Sequence, residues 1–286
     1  MDLPPIAEVM EVARRKIPVL EEFLLGLVGI PSVYGHEGEA QTYIRKSFEK
    51  MGTRAREVPI GEDLRKDPEY THSEDTVPYD GRPNLVIEEG GEGFGNSLIL
   101  NTHSDVVPAG SWEDGFNPKV EDGMLAGRGA VDCKGHVGAV FLLFELLEEF
   151  GVELSGKLYA QVVIEEEIGG NGSLSLIRQG YIADGVVVLE GTDLTVCPAN
   201  RGALWFKATV RGRPVHMAKK YEGVSAIDKS IDFIRLLYDY EGRLAEGSSG
   251  QPLFSEYAHP VQVNIGRMNA GDWPATVPGT SVLEGG

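Results

Sequence analysis

Apolar side chains recur along this chain with two periods, and segments of the two kinds alternate. Over residues 6–29 they fall at helical spacing (Val9, Val12, Ile17, Leu20, Phe23, Leu24, Leu27), which predicts a helix with Pro18 as a break or kink. Ala40, Tyr43, Ile44 and Phe48 give a second helix over 37–51 one apolar face. Residues 61–83 are polar, charged and proline-bearing, and read as a surface loop. Strands follow at 84–88 and 97–102; the second is the continuous apolar run of a strand covered on both faces. Residues 134–150 carry a strongly apolar helix ending before Gly151, and 157–164 and 185–189 read as further buried strands.

Strands alternating with helices predict an α/β catalytic domain, with a mostly parallel sheet flanked by helices. Ligands of such a sheet gather at the carboxyl ends of its strands. Near Asn200 the texture changes. Residues 204–210 alternate like a half-exposed strand, 225–240 form an amphipathic helix, and 261–266 and 280–283 read as strands. Strand–helix–strand–strand begins a ferredoxin-like β-α-β-β-α-β unit and lacks its second helix and last strand. The expected division is a catalytic domain over 1–198 and an incomplete ferredoxin-like α+β lid domain over 199–286.

Composition narrows the partners. The 286 residues carry a formal charge of −18, against the basic footprint that nucleic acid requires and equally against an anionic membrane surface. The 37 glycines suit a fold with many tight strand-to-helix turns. No run reaches the ~18 apolar residues of a membrane span, and the N-terminus lacks the apolar core of a signal peptide. Cys133 and Cys197 make no CxxC pair, so a disulfide framework is not expected and a reducing cytoplasm is.

The candidate chemistry lies at strand ends. His103 and Asp105 follow 97–102, spaced so that an extended segment points both the same way. A histidine that binds metal through one nitrogen usually gives its other N–H to a carboxylate, a part Asp105 suits; an incidental surface pair is the alternative. Asp132, in GRGAVDCKG, could bridge two cations or cap the helix that follows. Glu165, Glu166 and Glu167 end the strand 157–164, and Glu190 ends 185–189. Three adjacent carboxylates at a site's floor would repel unless cations neutralised them, and one left off the metal could act as general base. Standing alone, that run also fits a solvated acidic loop. Imidazole with hard carboxylates favours Zn²⁺, with Mn²⁺ or Co²⁺ tolerated. Cys133 reads as packing, with no histidine placed in sequence to activate it.

The ordered set NTHSDVVP, GRGAVDCKGHVGA, EEEIGGNGS and LEGTD resembles the co-catalytic zinc amidohydrolases and exopeptidases. That family includes acetylornithine deacetylase, succinyl-diaminopimelate desuccinylase, aminoacylase and bacterial glutamate carboxypeptidase. The spacings, 29 residues from His103 to Asp132 and 34 from Asp132 to Glu166, resemble the family's own. The resemblance implies two Zn²⁺ per subunit: His103 and Glu190 on one, Glu167 on the other, and Asp132 bridging both. It further implies Glu166 as general base, Asp105 orienting His103, and a cis peptide after Asp132. A homodimer formed through the lid would bring His216 into the partner's active site to polarise the scissile carbonyl, with Asn264 a weaker match to a substrate-binding asparagine. His36, His72, His136 and His259 match no role. The implied reaction is hydrolysis of the amide of a small N-acyl amino acid, with a di- or tripeptidase or carboxypeptidase on the same site as an alternative. A non-catalytic homologue or inactive fragment is a further alternative. The family places one more second-zinc histidine beyond the lid, so this chain is expected to be a fragment ending inside the lid.

Overall fold

The computed structural model describes residues 4–73, 76–91, 95–197, 199–248, 250–254 and 257–286. The chain divides into two compact units, Met1–Leu194 and Thr195–Gly286. The boundary expected after Pro198 falls on a residue outside the described ones.

The first unit runs α1 (Ile6–Val28), α2 (Gly38–Lys50), β1 (Ala55–Val58), β2 (Asn84–Glu89) and β3 (Leu98–His103). A small hairpin, β4 (Lys119–Glu121) and β5 (Met124–Ala126), leads through a π-type turn at Ala130–Lys134 into α3 (Gly135–Glu149). Then come β6 (Leu158–Val163), the short helices α4 (Glu166–Gly169) and α5 (Asn171–Arg178), and β7 (Gly185–Val188).

The sheet order is β1-β2-β6-β3-β7. β6 and β7 both run parallel to β3, and β2 alone is reversed, so four of the five strands point one way. Alternation on β2 explains how the sheet is buried on both faces. Leu85 and Ile87 pack with Phe23, Ile44, Phe141 and Phe144 of α1–α3, while Val86 faces Leu176 of α5. Phe23 and Phe141 stack with ring centroids 4.3 Å apart, joining α1 to α3.

Three expectations need correction. Helix α1 continues through Pro18 without a break. Pro18 and Arg14 lie on the exposed side, so the carbonyl deprived of its amide partner is at the solvent face. Residues 61–83 are not a simple surface loop: Glu62–Lys66 form a 3₁₀ helix, and Tyr70, Tyr79 and Arg82 are buried. Strand β7 is not buried either. It is an edge strand, and Val186, Val187 and Val188 are exposed.

The second unit contains β8 (Phe206–Arg211), α6 (Ala226–Ser248), β9 (Ile265–Ala270) and β10 (Thr280–Gly285). β10 lies between β8 and β9 and is antiparallel to both. The element order is the one expected, but the third element forms its ladder at 265–270 rather than 261–266. Among the described residues no helix is long and apolar enough to cross a membrane.

Candidate metal centre

The parallel strands β3, β6 and β7 end side by side, and each delivers acidic or imidazole groups at its carboxyl end. His103 is the last residue of β3, with its side chain 1% exposed. Its Nε2 lies 3.1 Å from Asp132 Oδ1, 3.6 Å from Glu190 Oε1 and 3.8 Å from Glu166 Oε2. Those three carboxylates form the open side: the Asp132, Glu166 and Glu190 side chains are 62%, 45% and 35% exposed. Histidine is thus the floor of the site and the carboxylates its rim.

Asp105 orients His103 twice. Its backbone carbonyl accepts from Nδ1 at 3.0 Å, and its carboxylate Oδ1 lies 3.4 Å from the same nitrogen. Its other oxygen, Oδ2, accepts the backbone N–H of Glu167 at 3.0 Å. The sequence pairs Asp105 with His103; the tie to Glu167 is visible only in the fold.

Asp132 sits in the turn that opens at Gly129, a left-handed position (φ 82°) where a Cβ would also meet Val106 Cγ1 at 2.3 Å. The peptide Asp132–Cys133 is cis. Asp132 does not cap α3, whose N-cap is Lys134. Lys134 itself is buried, and its Nζ donates to the carbonyls of Leu27 and Ile30 at 3.0 and 2.6 Å, anchoring the turn to the end of α1. Burial holds its pKa down to about 7, against an upward pull from Asp105.

Cys133 is buried, but it does have a histidine neighbour: His136 Nδ1 lies 3.1 Å from its Sγ, and the Leu189 carbonyl accepts from the thiol at 3.0 Å. His136 had no expected role; one helical turn into α3 brings it back to the cysteine.

Glu165, Glu166 and Glu167 take separate parts. Glu165 turns into the protein, where a guanidinium, that of Arg82, and not the site's open side, is its partner. Glu166 and Glu167 begin α4 and face the site. Burial raises the Glu166 pKa, and Glu190, Asp105 and Asp132 add to the rise while His103 opposes it. Glu167 is raised to about 7, by burial and then by Asp132. Burial works to lower the His103 pKa, but Asp105 and Cys133 outweigh it and lift it to about 12. Both ring nitrogens face oxygen acceptors, so the imidazole is protonated when no metal competes for Nε2.

The donor set fits one divalent ion. His103, Asp132, Cys133 and Glu190 offer ligand atoms all within 4.8 Å of one another. Among the described residues no second group of three such donors gathers. A cleft of about 360 Å³ opens beside Asp132 and Glu167, walled by Val107, Trp112, Leu125 and Arg128.

His216 and Asn264 lie in the second unit. His216 is exposed; its Nδ1 accepts from the Ala218 amide at 3.2 Å, which places the proton of the neutral ring on Nε2. Asn264 is exposed and exchanges backbone hydrogen bonds with Gly286.

A mostly parallel sheet that brings one imidazole and several carboxylates to the carboxyl ends of its strands defines the class, an α/β protein with a candidate metal centre. The chain belongs to peptidase family M20/M25/M40, whose sequence profile matches residues 99–269. It is similar to the N-formyl-4-amino-5-aminomethyl-2-methylpyrimidine deformylase of Bacillus subtilis, 33% identical over 178 residues, 57% of this chain and 42% of that protein. It is also similar to a probable carboxypeptidase of Aspergillus niger, 26% identical over 268 residues, 90% of this chain and 61% of the other. The chain therefore spans about half the length of these relatives. Its fold resembles that of the yeast dipeptidase Dug1p with a TM-score of 0.68 at 14% identity, covering 97% of this chain and 71% of the other.

Proposed function

We propose that the chain carries the catalytic centre of a zinc-dependent hydrolase that cleaves the amide bond of small N-acyl amino acids. The observation that carries this reading is the convergence of His103, Asp132 and Glu190 from separate elements around one ion-sized space, with Glu166 beside it. His103, Asp132 and Glu190 would hold the ion. When bound, such an ion supplies a Lewis acid and lowers the pKa of water toward neutrality.

The protein's own groups do the rest. Glu166 is raised by burial and lies 3.8 Å from His103 Nε2, placing it to take a proton from the attacking water and return it to the leaving amine. Asp105 keeps the imidazole oriented through Nδ1. The cleft beside Asp132 and Glu167, with Trp112 and Arg128 in its wall, would receive one side of the substrate. His216, whose Nε2–H is a donor, would stabilise the developing oxyanion from a partner subunit of a lid-mediated homodimer, and Asn264 would bind substrate there. The lid is residues 199–286. Two Zn²⁺ per subunit are part of this reading, with Asp132 and Glu167 as the residues that would hold the second. A cytoplasmic protein suits the free thiols of Cys133 and Cys197.

The peptidase reading has its own support: the probable carboxypeptidase aligns over 90% of the chain. Assaying N-formyl-, N-acetyl- and N-succinyl-amino acids beside dipeptides, with zinc supplied, separates the two. Glu166→Ala should lower hydrolysis about 100-fold or more at unchanged metal content. Retained hydrolysis in that variant would remove Glu166 from the chemistry, and peptide cleavage without deacylation would select the second reading.

A further inference from the structure

Directly behind the acidic residues of α4 lies a buried ion network that the proposed chemistry does not use. Arg82 grips Glu37 with a two-pronged contact, Nε to Oε2 at 2.6 Å and Nη2 to Oε1 at 2.8 Å. The same Nη2 donates to Glu165 Oε1 at 2.8 Å. The three side chains are 5%, 0% and 1% exposed. The second Glu165 oxygen accepts from Tyr79 Oη at 2.8 Å and from Asn171 Nδ2 at 3.0 Å, so both of its oxygens are held.

Stability alone is a poor reason for this arrangement. Two carboxylates share one guanidinium away from water, and apolar groups of the same shape commonly stabilise a core as well or better. What the network holds is more informative. Glu165 has left-handed backbone (φ 58°, ψ 31°), a conformation in which a side chain's Cβ crowds the following carbonyl oxygen. That one residue turns the chain from β6 into α4, and Glu166 and Glu167 are the next two residues. The Glu165 carbonyl then accepts from the Gly170 amide at 2.9 Å, closing the turn. A strained residue persists only where its surroundings over-determine it.

The geometry points to Arg82, with Glu37 and Tyr79, as positioning residues that act through Glu165 to aim Glu166 and Glu167 at the site. This deepens the proposed function, since it names what holds the general base and its neighbour, but its test stands apart from activity. The partners come from three separate parts of the unit: Glu37 from the start of α2, Arg82 and Tyr79 from the segment before β2, Asn171 from α5. The site's acidic turn is therefore set by the packing of the whole unit.

The test is amide hydrogen exchange across residues 164–172 of the metal-free 286-residue chain, compared with β3 (98–103) and α2 (38–50). Arg82→Met should speed exchange at 165–170 about tenfold or more, with β3 unchanged. Arg82→Lys keeps the charge without the fork and should recover most of that loss. Tyr79→Phe removes one bond to Glu165 and should give about a threefold local rise; it decides the matter if Arg82→Met does not fold. Unchanged exchange at 165–170, or a rise spread equally over β3 and α2, would overturn the inference. These readings hold whether or not the wild-type chain binds zinc. In a chain that does bind it, Arg82→Met should also reduce hydrolysis through kcat at nearly constant KM.

Discussion

Asp105 Oδ2 accepts the backbone N–H of Glu167 at 3.0 Å, so the residue that orients His103 also holds the start of α4. Asp105 thereby touches both sides of the site: its backbone carbonyl holds the imidazole, and its carboxylate holds the start of the acidic rim with Oδ1 3.4 Å from the ring. The coupling crosses from the end of β3 to the segment after β6, two strands that are parallel neighbours.

Removing that carboxylate should loosen both sides. Asp105→Ala keeps the backbone carbonyl that accepts from Nδ1 but removes the nearby negative charge and the acceptor for the Glu167 amide, and is expected to weaken zinc binding about tenfold. Asp105→Asn retains an acceptor for the Glu167 amide and should lose less. Competition with a chromophoric chelator measures both, and an alanine variant binding within twofold of wild type would contradict the coupling.

The acidity of the site has a definite sign in pH. Glu167 is raised in the folded chain from its ordinary 4.5 to about 7, so its contribution to stability is complete below 4.5 and is lost as pH rises through about 7. Glu166 is shifted the same way. His103, raised from 6.5 to about 12, contributes fully below 6.5 and loses that contribution gradually as pH climbs toward 12. The metal-free chain should therefore melt at a lower temperature at pH 8 than at pH 5, measured in chelator. Zinc should reverse the trend, because binding displaces protons; titration calorimetry in buffers of different ionisation enthalpy should find roughly one to one and a half protons released per ion at pH 7. Release of none would show that His103 is not the ligand.

Lys134 ties the Asp132 turn to α1 by donating to two carbonyls. In Lys134→Met both lose a charged donor and keep only their backbone partners, the amides of Ile30 and Ser32, which should cost about 1–3 kcal/mol in urea unfolding. An unchanged midpoint would mean that water or a shift of α1 replaces the lysine.

The sheet and the imidazole and carboxylates at its strand ends were readable because their signals are local. A continuous apolar run ending in His103, another ending before Glu166, and a third ending before Glu190 place three strand ends with imidazole or carboxylate groups without any knowledge of contacts. Asp105 was readable for the same reason, lying two residues from its histidine. Arg82, Glu37 and Lys134 were not readable, because a charged residue in a polar segment looks identical whether it is solvated or buried in a pair. The exposure of β7 escaped too: GVVVL has the composition of a central strand, and only the sheet order shows it at an edge. His136 could have been found, since three residues along a helix from Cys133 is contact distance.

Gly172 tests how tightly the acidic turn is packed. A Cβ there would stand 2.2 Å from the Ile164 carbonyl oxygen and 2.8 Å from Asn84 Oδ1, with no flexible group able to yield. Gly172→Ala should destabilise the chain by about 1–3 kcal/mol in urea unfolding. A neutral result would show that α5 can move away from the end of β6.

The claim on which the rest depends is that His103, Asp132 and Glu190 hold one ion together. Anomalous diffraction at the zinc edge, from crystals of this chain grown with Zn²⁺, tests it most directly. The expected result is a peak about 2.0–2.1 Å from His103 Nε2 and within bonding distance of the Asp132 and Glu190 carboxylates. Zinc bound only elsewhere, or no peak beside His103 at saturating zinc, would contradict the account.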